Sequence, residues 1–108
     1  MRKVLALGAI AFASLGIASP VMAQCAANGW CSVRDYSDES VYQKRVSRNA
    51  RYAVVYVKEV PSDTRKEIST FKIVYDCQAD RYRFFDSQKW ADILPDSRGM
   101  TNSRFACR

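Results

Sequence analysis

The stretch IVYDCQADRYRFF, residues 73–85, reads as two β-strands joined by a short polar turn. Its first half continues back through EISTFK, and alternate positions of that run are apolar, as in a strand with one buried face. That apolar stripe contains Phe71, Ile73, Tyr75 and Cys77. QAD supplies the turn, and RYRFF returns as the second strand. The stretch therefore predicts an antiparallel hairpin whose first strand ends at a cysteine on the apolar side.

The run RYAVVYVKEV, residues 51–60, is the clearest single strand, because β-branched and aromatic residues dominate it. Alternation divides its side chains between two faces. One face carries Tyr52, Val54, Tyr56 and Lys58, and the other carries Ala53, Val55, Val57 and Glu59. Both faces are apolar in the middle, so we expect a central strand that is covered on both sides. Pro61 is expected to end it.

The remaining segments complete a small sheet and one helix. Shorter strands are predicted in WCSVRDY, residues 30–36, and SVYQKRV, residues 40–46, whereas SQKWADILPDS has helical or loop spacing. A short C-terminal helix is expected to open at Asp96 or Ser97, either of which can cap it. Met100, Arg104 and Cys107 would then lie near one stripe of this helix. The predicted fold class is α+β: an antiparallel β-sheet of about five to six strands with a short C-terminal helix disulfide-tied to one face.

The first 23 residues have the three parts of a secretory signal peptide. A basic start precedes an uncharged apolar run, and VMA forms a cleavage site before Gln24. The apolar run is shorter than the about 20 residues that a membrane span needs. We therefore predict cleavage of residues 1–23, no transmembrane segment in the mature chain, and one small domain over residues 24–108. The product would be periplasmic, secreted or held at the cell surface.

All four cysteines lie in the predicted mature chain, and an even number in a small exported protein predicts two disulfides. Cys25 and Cys31 flank an Asn-Gly turn, and a Cys77–Cys107 bond would tie the chain end onto the apolar side of the sheet, so this pairing is favoured. The combination of Cys31–Cys77 with Cys25–Cys107 stays open. Since the chain has no histidine and no CxxC pair, we expect no metal and no cofactor.

A sparse set of residues spread over most of the mature chain matches a known pattern. The set contains Trp30, Asp76, Cys77, Arg81, Arg83, Trp90, Pro95, Ser97 and Cys107. In these positions the chain resembles the surface-adhesin protein E family of bacterial envelope proteins. The resemblance implies an antiparallel sheet with a carboxy-terminal helix tied by a disulfide to one face. The binding residues of the adhesin match no motif of this chain, so none of them is carried over.

A catalytic site is hard to build from this composition. The absence of histidine removes the side chain that most often serves as a general base near neutral pH. If all four cysteines are paired, none remains as a nucleophile. The carboxylates of RDYSDES, residues 34–40, match no calcium loop and are interpreted as a solvated turn. The sequence therefore favours a protein that binds rather than catalyses.

Basic residues cluster in KRVSRNAR, residues 44–51, and recur in RYRFF. The candidate ligand-binding side chains are Lys44, Arg45, Arg48, Arg51, Arg81 and Arg83. Such a cluster can attract an anionic partner, although a charged loop that keeps strand edges apart is the plainer interpretation. Interleaved Arg and aromatic residues also occur in single-stranded nucleic-acid platforms. In an exported chain cross-strand packing explains them better, so no nucleic acid is expected.

Two functions follow as hypotheses. The first is a non-enzymatic exported binding module resembling surface-adhesin protein E, which engages a protein or an anionic ligand. The alternative is a periplasmic inhibitor or immunity protein that blocks an enzyme, because small disulfide-stapled exported domains suit that role equally well.

Overall fold

The computed structural model describes residues 25–108, and the predicted signal peptide lies outside these described residues. Six strands are followed by one helix. The elements are β1 (Trp30–Asp35), β2 (Glu39–Arg48), β3 (Tyr52–Pro61), β4 (Ser69–Asp76), β5 (Arg81–Phe84), β6 (Ala91–Asp92) and α1 (Arg98–Ala106). Within residues 25–108, no helix has the length and apolar character needed to cross a membrane.

The six strands form one antiparallel sheet in which spatial order follows chain order. Each strand therefore pairs with its sequence neighbours through a short connection, as in a meander. The antiparallel sheet and the short C-terminal helix confirm the prediction. Because the helix contains only nine residues, the fold is closer to mostly β than to the expected α+β class.

The alternation read from the sequence assigns the two faces of the sheet correctly. On β3, Val55 lies opposite Arg45 of β2 and Ile73 of β4, and these positions share a face with the helix. We call this the helix face and the opposite one the open face. The core lies on the helix face and contains Val41, Ala53, Val55, Val57, Ile73, Tyr75, Ile93, Met100 and Ala106. The expectation that β3 is covered on both sides holds only in part: on the open face Tyr56 is 38% exposed, whereas Val74, the neighbour of Val54, is buried.

Of the two caps that the sequence offered, Asp96 and Ser97, helix α1 uses Ser97. The Ser97 Oγ accepts a hydrogen bond from the Met100 backbone N–H at 3.1 Å, which satisfies one of the free amides of the first turn. Met100, Ser103 and Ala106 are buried against the sheet, whereas Arg104 is exposed. The small side chains at 103 and 106 allow close approach to the sheet, and the charged one stays in water.

The segment that was expected to be helix or loop contributes the sixth strand. Ala91 pairs with Tyr82, and Asp92 pairs with Arg81, along the outer edge of β5. That edge offers unpaired backbone N–H and C=O groups, and two residues of extended chain satisfy some of them. The pairing depends on the proximity of β5, not on any propensity of Ala and Asp for strands.

Both favoured disulfides are present. Cys25 pairs with Cys31, and Cys77 pairs with Cys107 at a Cα–Cα distance of 5.7 Å. No cysteine in the described part of the chain is free. Cys77 directly follows β4, and Cys107 is the C-cap of α1, so the second bond joins the end of the helix to the sheet.

Candidate functional site

The open face of the sheet places basic and aromatic side chains next to one another across the strands. Lys58 of β3 lies opposite Tyr42 of β2, and Lys72 of β4 lies opposite Tyr56 of β3. Because strand positions have a period of two, each of these side chains points away from the core. The pattern thus combines positive charge and ring surface on one side of the protein.

Lys58 forms the first cation–ring group of this face. Its Nζ lies 4.5 Å from the ring centroid of Trp30 and 5.3 Å from that of Tyr42. The methylene stem can cover the rings while the ammonium stays at the surface. The contacts attract the cation to the rings, yet they leave its charge unneutralised.

Lys72 forms the second group. Its Nζ lies 3.7 Å from the ring centroid of Phe85 and 5.6 Å from that of Tyr56. The Phe85 backbone N–H donates to the Lys72 carbonyl at 3.0 Å, which fixes the ring beside β4. Phe85 is 48% exposed and Tyr56 is 38% exposed, so both rings keep surface that a partner can contact.

Arg81, Arg83 and Trp90 form the third group. The guanidinium carbons lie 4.9 Å and 5.3 Å from the Trp90 ring centroid, and that ring stacks with Tyr52 at 6.0 Å. The Arg83 Nη1 also donates to the Ser87 carbonyl at 3.0 Å, which holds the loop that leads to Trp90. We call the three groups together the basic aromatic face. Its members are Trp30, Tyr42, Tyr52, Tyr56, Lys58, Lys72, Arg81, Arg83, Phe85 and Trp90.

A buried carboxylate supports one end of this face. Asp76 is fully buried, and its Oδ2 lies 2.9 Å from a guanidinium nitrogen of Arg51 and 2.9 Å from one of Arg81. Backbone N–H groups of Gln78 and Ala79 donate to its Oδ1 at 3.1 Å. The hydrogen bonds from Arg51 hold the pKa of Asp76 well below its usual range, burial opposes them, and Arg81 reinforces them. The carboxylate therefore stays ionised and orients Arg81 toward Trp90.

Four of the six predicted basic residues lie on or beside the open face. Lys44 is exposed opposite Tyr56, and Arg81 and Arg83 belong to the basic aromatic face. Arg51 lies at its border, with its guanidinium carbon 5.4 Å from the Tyr52 ring centroid.

Arg45 and Arg48 lie instead on the helix face. A register shift between Arg45 and Ser47 turns Arg48 to the same side as Arg45. The Arg45 Nη2 donates to the carbonyl groups of Ala106 and Arg108, each at 3.2 Å, and the Arg48 Nη2 donates to that of Cys107 at 2.8 Å. Carbonyl groups at a helix end lack partners within the helix, so these two arginines cap α1.

Sequence reasoning did not choose Lys58 and Lys72 as candidate ligand-binding residues, although it placed each on the correct face of its strand. The available signal was the presence of a lysine on the open side of both central strands. The aromatic rings that contact these two lysines could not be identified in the same way. Trp30 and Tyr42 lie on β1 and β2, and Phe85 directly follows β5. Their positions depend on the strand register.

The described residues contain no group of three or more His, Cys, Asp or Glu side chains placed to hold a metal ion. No protein-family model, curated protein or solved structure matches the chain. The likeness to surface-adhesin protein E therefore rests on the sequence positions that carry it.

Proposed function

We propose that the chain is a non-enzymatic, exported binding module similar to surface-adhesin protein E, and that it binds an anionic partner on the basic aromatic face. One observation carries the proposal: Lys58, Lys72 and the arginine pair each lie over aromatic rings on the sheet face opposite the helix. The two disulfides are compatible with an oxidising, exported environment.

The arrangement suits recognition of negative charge on an extended surface. Lys58, Lys72 and Arg83 lie on β3, β4 and β5, and neighbouring strands are about 4.8 Å apart. Ring contacts restrict the cations before binding, so less side-chain entropy is lost when a partner binds. The exposed ring surface adds apolar contact, which favours an acidic protein face or an anionic polymer over a small free anion.

A titration with defined polyanions tests the proposal. Heparin and poly-glutamate are the probes, and the fluorescence of Trp30 and Trp90 reports binding at several salt concentrations. The double variant Lys58→Gln/Lys72→Gln should bind about tenfold more weakly and with a shallower salt dependence, because two oriented charges are lost. The matched control, Arg65→Gln/Lys66→Gln, removes two charges from exposed positions in the β3–β4 loop and should change affinity less than about twofold.

Two outcomes would contradict the proposal. Failure of both polyanions to bind at low salt would remove the basis for an anionic partner. An equal loss of affinity in the two double variants would mean that net charge alone is sensed and that the basic aromatic face has no special role.

The inhibitor or immunity protein is the alternative, and one observation favours it. Leu94 is 70% exposed in the loop before α1, and its carbonyl accepts a hydrogen bond from the Ser97 Oγ at 2.6 Å. An apolar side chain on a fixed loop is a typical anchor for the pocket of a partner. If Leu94→Ser loses an enzyme captured from envelope extract while Lys58→Gln/Lys72→Gln retains it, the alternative is the better assignment.

A further inference from the structure

A cleft of about 390 Å³ lies on the helix face, between the sheet and the start of α1. It is on the opposite side of the sheet from the basic aromatic face. Most of its lining is apolar and comes from Phe71, Ile73, Tyr75, Tyr82, Phe84 and Leu94. Its volume falls in the range of sites for small organic molecules, which combine apolar walls with a few polar groups.

The charged groups of this cleft are mainly acidic, although the chain as a whole is basic. Glu39, Glu59 and Asp92 line it together with a single cation, Arg98. The Arg98 Nη1 lies 2.9 Å from a carboxylate oxygen of Asp38 and 2.9 Å from one of Glu39, so its charge is already paired. Among the described residues, the Glu59 carboxylate has no hydrogen bond or ion pair. Burial raises the pKa of Glu59, the charge of Glu39 adds to this effect, and Arg98 opposes it.

Asn102 forms the helix side of the cleft. The residue lines the cleft, is only 8% exposed, and its Oδ1 has no hydrogen-bond partner among the described residues. Its backbone carbonyl accepts from the Gln43 Nε2 at 2.7 Å, which fixes its position. The acceptor that the cleft offers to a ligand is the half-buried Glu59 carboxylate, so a ligand should bring a charged donor.

The start of α1 is the one feature of the cleft that would favour an anionic ligand instead. Ser97, Arg98 and Gly99 line the cleft, and a helix N-terminus carries a partial positive charge that favours anions. However, the Ser97 Oγ already accepts from the first turn, and the Arg98 guanidinium is already paired with carboxylates. The unpaired charge of the cleft is therefore negative.

We propose that this cleft binds a small organic cation with an apolar body, namely an ammonium group attached to an aromatic or branched aliphatic group. The ammonium donates to the Glu59 carboxylate, and the apolar body contacts the aromatic walls. This site and its ligand are independent of the basic aromatic face.

A titration with three probes of similar shape tests the charge assignment. Phenethylamine, 2-phenylethanol and 3-phenylpropanoate are added to the disulfide-bonded protein, and binding is followed by NMR at the Gly99 backbone amide and the Asn102 side-chain amide. Phenethylamine should bind at least about tenfold more tightly than the alcohol or the carboxylate, because only the amine brings a charged donor. Equal affinities, tighter binding of the carboxylate, or no binding at all would overturn the proposal.

Substitution of Glu59 tests whether amine binding depends on this cleft or only on the net charge of the protein. Glu59→Gln should weaken phenethylamine binding about tenfold and leave the alcohol unchanged, because the carboxylate is lost while the shape is kept. The control Asp80→Asn removes the same charge from an exposed turn at the other end of β4 and should leave both affinities unchanged. Retained amine affinity in Glu59→Gln, or shifts confined to the Trp30 and Trp90 indoles, would overturn the assignment.

Discussion

Asp76 contacts Arg51 and Arg81 through the same carboxylate oxygen, which lies 2.9 Å from a guanidinium nitrogen of each. The carboxylate joins the β2–β3 turn to the start of β5, and it orients an arginine of the basic aromatic face. The next residue, Cys77, is bonded to Cys107 at the end of α1. Asp76 and Cys77 therefore connect the end of β4 to both sides of the sheet. Asp76 binds two arginines at the open face, and Cys77 is bonded to the end of the helix.

Loss of the Asp76 charge should destabilise the fold strongly. Asp76→Asn leaves two guanidinium groups side by side without their shared carboxylate, and we expect the free energy of unfolding to fall by roughly 3 kcal/mol. Thermal unfolding followed by circular dichroism measures the change. Asp80→Asn, at an exposed position of the following turn, is the control and should leave Tm nearly unchanged. A similar small effect in both variants would contradict a stabilising role for the buried carboxylate.

The same residue predicts sensitivity to acid. The pKa of Asp76 is depressed in the folded protein, so its stabilising contribution is present above the ordinary pKa of about 4 and is lost as pH falls below that value. The difference in Tm between wild type and Asp76→Asn should be constant from about pH 7 to pH 5 and shrink between about pH 4 and pH 2. A constant difference down to the lowest pH would show that the ionised form is not what stabilises the fold.

Glu59 should have the opposite effect of pH. Burial and the nearby charge of Glu39 raise its pKa in the folded protein, although Arg98 opposes the shift. The stability that the neutral Glu59 carboxyl group contributes is then fully present below about pH 4. It is lost as pH rises through the pKa that Glu59 has in the folded protein. Glu59→Gln should therefore raise Tm at neutral pH and lose this advantage in acid. Glu67→Gln, at an exposed position, is the control; an equal gain in both variants would rule out this explanation.

The Cys77–Cys107 bond predicts non-additive cysteine substitutions. Cys77→Ser and Cys107→Ser should each cost about 3 to 4 kcal/mol in the chain-entropy model, and the double change should cost little more, because both remove one link. Cys25→Ser/Cys31→Ser opens a loop with a sequence separation of 6 rather than 30 and should cost less, about 2 kcal/mol. Differential scanning calorimetry of each variant tests the order. Additive losses at 77 and 107 would mean that these residues do not pair.

Arg45 and Arg48 should matter for stability and not for polyanion binding. Arg45→Gln/Arg48→Gln removes the donors to the last carbonyl groups of the chain, so we expect a lower Tm. At about 0.15 M salt, where charges beyond roughly 8 Å are largely screened, heparin affinity should fall less than about twofold. A loss as large as that of Lys58→Gln/Lys72→Gln would place the binding surface on both faces of the sheet.

Local patterns predicted most of the strands, because the period of two and the β-branched residues are properties of short segments. The run at 51–60 and the hairpin at 73–85 became β3, β4 and β5 with the expected faces. The Ser97 cap could also be read locally, since a side-chain oxygen only has to reach the amide of Met100.

The candidate site was less predictable, because it depends on which strands become neighbours. Alternation alone would place Arg48 on the same face as Lys44, but the bulge after Arg45 turns it toward the helix. The rings beside Lys58 and Lys72 come from distant positions, and no spacing within one strand specifies them. The two-residue strand β6 forms only because the edge of β5 is available.

By itself, the amino-acid sequence indicated strands β1 to β5, most of their two faces, two candidate helix caps and a favoured cysteine pairing. Each of these depends on neighbours along the chain or on the alternation of side chains along a strand. Only the tertiary structure decided that the helix packs on one sheet face, that the cations of the opposite face lie over rings, and that an acidic cleft lies beside the helix. Those features depend on strand register and on the position of one short helix, both of which are set by packing across the sheet.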